Sequence, residues 1–306
     1  MKLIHRLGLI SLILILGGCF SMNGEQEKSL RMDTAEAKKD EYYARVQDYT
    51  GEEYTLPNGK KTGRIANDNK EIVDAAIKDF FLENYKTEVI VHNIVGNVDG
   101  ATVFVESVGE PNFYSTAIIP IDVQNEKILT DQVWSLEGEV ERGIITGLYA
   151  LAYQEEFANL DQLLTGLAEA YGFTSKTIEA IENTSAAGYE RVYYFVTGSR
   201  YQLEEIWKTY LEEPDMTHSD WREMFEVLEF DPDAIGFGLH LFMADENVEP
   251  SQEVLEAVVE AIEEADDIPN GSYGIHLHDN RINKRVADGN KENSISHSYP
   301  DYIIKE

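Results

Sequence analysis

Histidines are the side chains here whose spacing could hold a metal. His276 and His278 alternate with Ile275 and Leu277, so on an extended strand both imidazoles point to one face. His240 lies in a second apolar run, Ala234 to Met243, with Asp245 beyond it, and Asp279 follows His278 directly. If the two runs are neighbouring strands, three imidazoles and a carboxylate meet. That is the donor set of a zinc or other transition-metal centre, with Asp279 available as a base on metal-bound water. The corresponding activity is a metal-dependent hydrolase built on His240, His276 and His278. The same alternation also describes the solvated face of a half-buried strand, which needs no metal.

Calcium is the other cation to weigh. Asp231-Pro232-Asp233-Ala234-Ile235-Gly236 opens as an EF-hand loop does, but Ile235 stands at the third ligand position and Phe242 where the closing glutamate belongs. An EF-hand is excluded, and an irregular calcium site is what remains. Other chemistries find no footing: the sequence has no Walker phosphate loop, zinc-protease helix or Gly-x-Ser-x-Gly elbow, and Gly236-Phe237-Gly238 lacks the rest of a dinucleotide fingerprint. Glu204-Glu205, Glu212-Glu213, Glu263-Glu264 and Asp266-Asp267 fit solvated helix faces, and spacing alone puts no two of them across a cleft. No catalytic residue is assigned. The chain reads as a binding or interaction protein that needs no cofactor, with zinc or calcium as the alternative.

Cys19, the only cysteine, carries a different chemistry. Lys2, His5 and Arg6 make a basic start, Leu7 to Leu16 is almost wholly apolar, and Leu16-Gly17-Gly18-Cys19 follows. The apolar run is too short for a bilayer-spanning helix, which needs about twenty residues. Small residues before Cys19 admit a signal peptidase, and its thiol accepts a diacylglycerol. Residues 1–18 are therefore expected to be a lipoprotein signal peptide. Cys19 becomes the lipidated first residue of a protein held on the extracytoplasmic face of the cell membrane. With Cys19 so used, no disulfide, thiolate metal site or cysteine nucleophile is available to the body of the protein.

Charge narrows the partners. The chain has 57 acidic and 25 basic residues, a formal net charge of −32. It is concentrated: residues 137–267 hold 31 acids against 6 bases, whereas residues 268–306 hold five of each. Such a surface is repelled by phosphate backbones and anionic lipid head groups, so nucleic acid is excluded as a partner and the acyl chain must supply the membrane attachment. A basic protein or cations are the partners that the acidic middle could attract.

The elements that must position these groups follow from periodicity. With 43% apolar residues the chain can bury a sizeable core. Residues 19–41 are polar and read as a tether. Tyr42, Tyr43, Val46, Tyr49, Tyr54 and Leu56 read as an N-terminal segment laid on a core, ending at the turn Pro57-Asn58-Gly59. Val73, Ala76, Ile77, Phe80 and Phe81 mark one face of a helix from Asn69 to Asn84–Lys86. The β-branched runs from Val89 to Trp134, broken at Asp99-Gly100, Glu110-Pro111-Asn112 and Asn125-Glu126, predict a four-stranded antiparallel meander. One face should lie on that helix and the other face water or a partner.

A helical block follows, with a stripe from Ile144 to Ala152 and a helix capped by Asn159 and Gln162. Alternating strands and helices from Glu190 to His278 then suggest a second α/β subdomain. The fold class is α+β, organised as a helix-plus-meander subdomain (42–136), an acidic α/β subdomain (137–279) and a polar tail (280–306). The tail is expected to be partly disordered, or to have its last aromatic residues pinned back on the body.

Three features together carry a resemblance: the Leu16-Gly17-Gly18-Cys19 signal, the segment Val46-Gln47-Asp48-Tyr49-Thr50-Gly51, and the helix from Asn69 leading into Val89 to Val108. The chain resembles a family of uncharacterised lipoproteins of staphylococcal and bacillus-type Gram-positive bacteria. The resemblance runs over most of the chain. It implies attachment to the outer face of the cell membrane and supplies no activity, substrate or catalytic residue.

Overall fold

The computed structural model describes residues 42–306; the expected signal peptide, Cys19 and the tether lie outside the described residues. Strand β1 (Tyr43–Arg45) runs into one 3-10 turn, and helices α1 (Lys60–Asp68) and α2 (Lys70–Tyr85) meet at Asn69. In α2 the expected stripe, Val73, Ala76, Ile77 and Phe81, is buried, and the helix stops at Lys86 in a left-handed conformation whose N–H bonds back to Leu82 and Phe81. Helix α1 escapes the periodicity argument because it offers only Ile65 and Ala66 as buried apolar residues. It is held instead by close backbone approach. A Cβ on Gly96 would lie 2.0 Å from the Gly59 carbonyl oxygen and 2.2 Å from the Gly63 nitrogen. Gly96→Ala is therefore expected to cost about 2 kcal/mol, the middle of the range for overpacking, read as a lower midpoint in urea unfolding.

The meander is formed by β2 (Val89–Gly96), β3 (Gly100–Ser107), β4 (Tyr114–Asp122) and β5 (Lys127–Ile128), paired in that order. Asn97 closes the first turn by accepting the N–H groups of Asp99 and Gly100 on its side-chain oxygen. The fourth strand is shorter than expected, since a 3-10 turn at Thr130–Gln132 interrupts it before Trp134 pairs again with Ile118. Ala101, Val103 and Val105 of β3 join the core beneath the helices. The opposite face is covered too, contrary to expectation: Tyr54 packs edge-on against Phe104, with ring centroids 5.5 Å apart, and α5 (Ile178–Thr184) lies against β2 and β3.

Helices α3 (Glu139–Ala152) and α4 (Gln154–Tyr171) follow. The capping expectation fails, since Asn159 lies inside α4 and its side chain donates to the Asp267 carbonyl. The second sheet has six strands. In it β8 (Ile235–Met243) and β9 (Gly271–His278) run parallel, joined through α8 (Gln252–Glu264), which Ser251 caps. Strands β6 (Phe173–Thr174) and β7 (Tyr194–Gly198) pair antiparallel with β8. Helices α6 (Glu204–Glu212) and α7 (His218–Val227) lie between β7 and β8 in the chain, and Thr217 with Asp220 forms the capping box at the start of α7.

Of the two courses expected for the tail, it takes the second and folds back on the body, with Tyr302 lying over Gly274. Strand β10 (Arg281–Asn283) pairs with β1, while β11 (Ile295–His297) and β12 (Ile303–Lys305) both pair with β9. Backbone pairing outweighed its polar composition. One cluster of buried apolar side chains runs from Ile65 in α1 to Ile303 in β12, so both sheets share a core. The architecture is α+β.

Candidate functional site

The parallel register places His240 opposite His276 and Phe242 opposite His278, so the three imidazoles do meet on one face of adjacent strands. They meet as a stack. The His240 and His276 rings are 4.9 Å apart at 19°, those of His240 and His278 5.4 Å apart at 25°. Phe195 extends the ladder on the His240 side and Phe242 on the His278 side. His278, 0% exposed, spends both ring nitrogens internally: Nε2 lies 3.3 Å from His240 Nδ1 and Nδ1 lies 2.9 Å from Ser294 Oγ. The picture of a solvated strand face is thereby corrected.

Burial disfavours the imidazolium and sets the protonation of the ladder. It pushes His240 down to about 3, helped by the neighbouring His276 and by Lys176. It pushes His278 well below the ordinary value, with His240 and Lys291 adding to the effect. His276 is lowered by the same burial, and Asp288 opposes the shift. The rings are neutral at neutral pH, the form that ligates metal, yet their stacking points the nitrogens alongside one another rather than at a common centre. Metal binding here would require breaking the contacts of His278 and tilting the rings.

Asp279 is committed elsewhere. Its Oδ1 lies 2.8 Å from the Lys291 ammonium and accepts the Arg281 N–H, and its Oδ2 accepts from Asn293. The calcium-like segment also takes another course: Pro232–Ala234 forms a 3-10 turn that runs straight into β8, where Ile235 and Phe242 are buried. The paired acids are all exposed; Glu204, Glu205, Glu212, Glu263 and Glu264 lie on solvated helix faces as expected, whereas Glu213, Asp266 and Asp267 lie just past helix ends.

His240 does open onto something the sequence did not disclose. A cavity of about 270 Å³ lies between β7, β8 and the segment after α5, with His240 and Phe195 on one wall and Ser185, Glu190, Arg191 and Asp288 around it. Glu190, 5% exposed, pairs with Lys176 Nζ at 2.6 Å and also accepts from the Ser185 hydroxyl. No spacing rule links Lys176, Ser185 and Glu190; a loop folds them together.

Comparison with known proteins places the fold. A family model described as a protein of unknown function, DUF1672, matches residues 36–305. The chain belongs to the DUF1672 family. A crystal structure of a DUF1672 protein from Staphylococcus aureus superimposes with a TM-score of 0.66 at 19% identity, covering 84% of this chain and 97% of that one. At that identity the likeness is one of fold. No curated protein matches the chain. The staphylococcal resemblance read from the sequence thus falls within a DUF1672 family whose activity is unknown.

Proposed function

We propose that this protein is a lipid-anchored binding protein of the extracytoplasmic membrane face, taking a small zwitterionic ligand in the cavity beside the histidine ladder. The cavity carries the binding reading: it combines an apolar wall from Tyr54 and Phe195 with the Lys176–Glu190 pair, Arg191 and Asp288. A few convergent polar groups on a partly apolar concave wall are the usual make-up of a small-molecule site. An amino acid or dipeptide has both charges needed to exchange with that ion pair, its carboxylate toward Lys176 and its ammonium toward Glu190. Anchoring rests on the Lys2-to-Cys19 signal and on a net charge that keeps the chain off anionic lipid unless an acyl chain holds it. The hydrolase alternative on His240, His276 and His278 is disfavoured by the engaged nitrogens of His278 and by the pairing of Asp279 with Lys291.

Intact-mass analysis of the chain expressed in a Gram-positive host is expected to find Cys19 as first residue carrying a diacylglycerol, and Cys19→Ala is expected to abolish lipid labelling. A chain that keeps residues 1–18, or carries no lipid, overturns the anchoring. Thermal-shift measurements against amino acids and dipeptides are expected to find ligands that raise the melting temperature of the native chain and not of Lys176→Met. Equal shifts in both proteins would remove the cavity from the reading.

A further inference from the structure

A second cluster of metal-ligating side chains lies away from the histidine ladder. Among the described residues, His92, Glu106 and Glu182 form a group whose ligand atoms all lie within 4.8 Å of one another. Three elements supply them: β2, β3 and α5. The pairing of β2 with β3 runs Val91 to Val105 and then Asn93 to Phe104, leaving His92 as the extra residue of a β-bulge. Bulges re-aim a side chain and recur beside functional sites. Here the bulge sets the imidazole between two carboxylates, with Nε2 3.0 Å from Glu106 Oε2 and Nδ1 4.0 Å from Glu182 Oε2.

The surroundings hold these groups in place. Asn112 donates to Glu106 Oε1 at 3.0 Å, which leaves Oε2 turned toward His92. Asn93, next to the bulge, donates to the Asn183 carbonyl at 3.0 Å, and Asn183 donates to the Thr50 carbonyl at 2.9 Å, fixing α5 against the sheet. Hydrogen bonds to the outer atoms of ligating carboxylates are a regular part of metal sites.

We propose that His92, Glu106 and Glu182 bind one divalent transition-metal ion, bracing α5 against the second face of the meander. A dication balances the two carboxylates and leaves the imidazole neutral, removing the repulsion between Glu106 and Glu182. The mixed nitrogen and oxygen donors suit zinc better than magnesium or calcium, which prefer oxygen alone. Metal-to-ligand distances of about 2.0–2.2 Å put tetrahedral ligand atoms about 3.4 Å apart, so the three donors, one ring nitrogen and one oxygen from each carboxylate, draw together from within 4.8 Å of one another. Three protein ligands leave a fourth position for water or a ligand group. Because Glu182 precedes Ser185 by one helical turn, the ion also steadies the segment that forms one side of the cavity.

The test is calorimetric titration of the full chain, without a histidine tag, with zinc chloride, alongside melts with and without zinc. One zinc per chain and a zinc-dependent rise in melting temperature are expected. Glu182→Ala, at a partly exposed helix position that leaves the fold intact, is expected to weaken binding at least about tenfold, roughly 1.4 kcal/mol. His92→Ala should abolish the zinc-dependent rise, and His276→Ala should leave it unchanged. No zinc uptake, uptake indifferent to Glu182→Ala, or uptake lost in His276→Ala would each overturn the site.

Discussion

Lys291→Met is expected to destabilise the protein by about 3–5 kcal/mol, the range for removing one partner of a buried ion pair. The ammonium is 0% exposed at its side chain and Asp279 2%, with 2.8 Å between them. All three ammonium protons are used: one on Asp279 Oδ1, one on the Arg281 carbonyl and one on the Gly289 carbonyl at 3.0 Å. Methionine fills a similar volume, so the loss measures charge and hydrogen bonding rather than a cavity. It leaves a carboxylate and two carbonyls facing an apolar side chain. Adding Asp279→Leu to Lys291→Met should recover much of the loss, because no uncompensated charge then remains. The measurement is urea unfolding of both single variants and the double variant. A cost under about 1 kcal/mol for Lys291→Met, the scale of an exposed pair, would mean that water reaches the site.

The histidine ladder should make stability fall with acid before the carboxylates titrate. His240 and His278 have folded values below the ordinary histidine value of 6.5, through burial first. Between the unfolded and folded values the unfolded chain takes up protons that the folded chain refuses. Stability is therefore full above the ordinary value and declines as pH falls below it toward the folded values. Lowering pH from about 7.5 to about 5.5 costs roughly 1.4 kcal/mol for each such group, about 3 kcal/mol for the two. His276 adds a smaller share, because it is less buried and faces Asp288. Lys176 on the His240 side and Lys291 on the His278 side both reinforce the loss. Melting temperature or unfolding free energy followed over this interval checks the slope. His240→Phe should flatten it by about half, whereas an unchanged slope would place the titrating groups elsewhere.

Where side chains repeat with a simple period, the sequence was readable. The Val73-to-Phe81 stripe and the turn at Asp99-Gly100 both lie where their local chemistry put them. Helix α1 was missed because glycine contacts rather than apolar residues hold it. Asn159 was misread because the cap rule names a residue type, and the same side chain serves equally as a lateral donor to Asp267. The meeting of His240 with His276 and His278 was conditional on strand adjacency, which the β8–α8–β9 crossover supplies. Ring stacking, which decides whether a metal fits, depends on rotamers that no spacing encodes. His92 looked like one more strand residue. Its role hangs on a bulge and on a glutamate from a helix 90 positions on.

The pairing of β1 with β10 ties residues 43–45 to residues 281–283, and β9 gains its outer partners only from residues 295–305. Contacts of such long sequence separation form slowly and late. The first strand cannot find its neighbour until almost the whole polypeptide has been synthesised. Up to that point the two-stranded sheet does not exist and the six-stranded sheet lacks its outer strands beside β9, although the meander of β2 to β5 is already complete. If the chain is exported as proposed above, that delay favours its passage, because the six-stranded sheet closes only after the last residues have emerged.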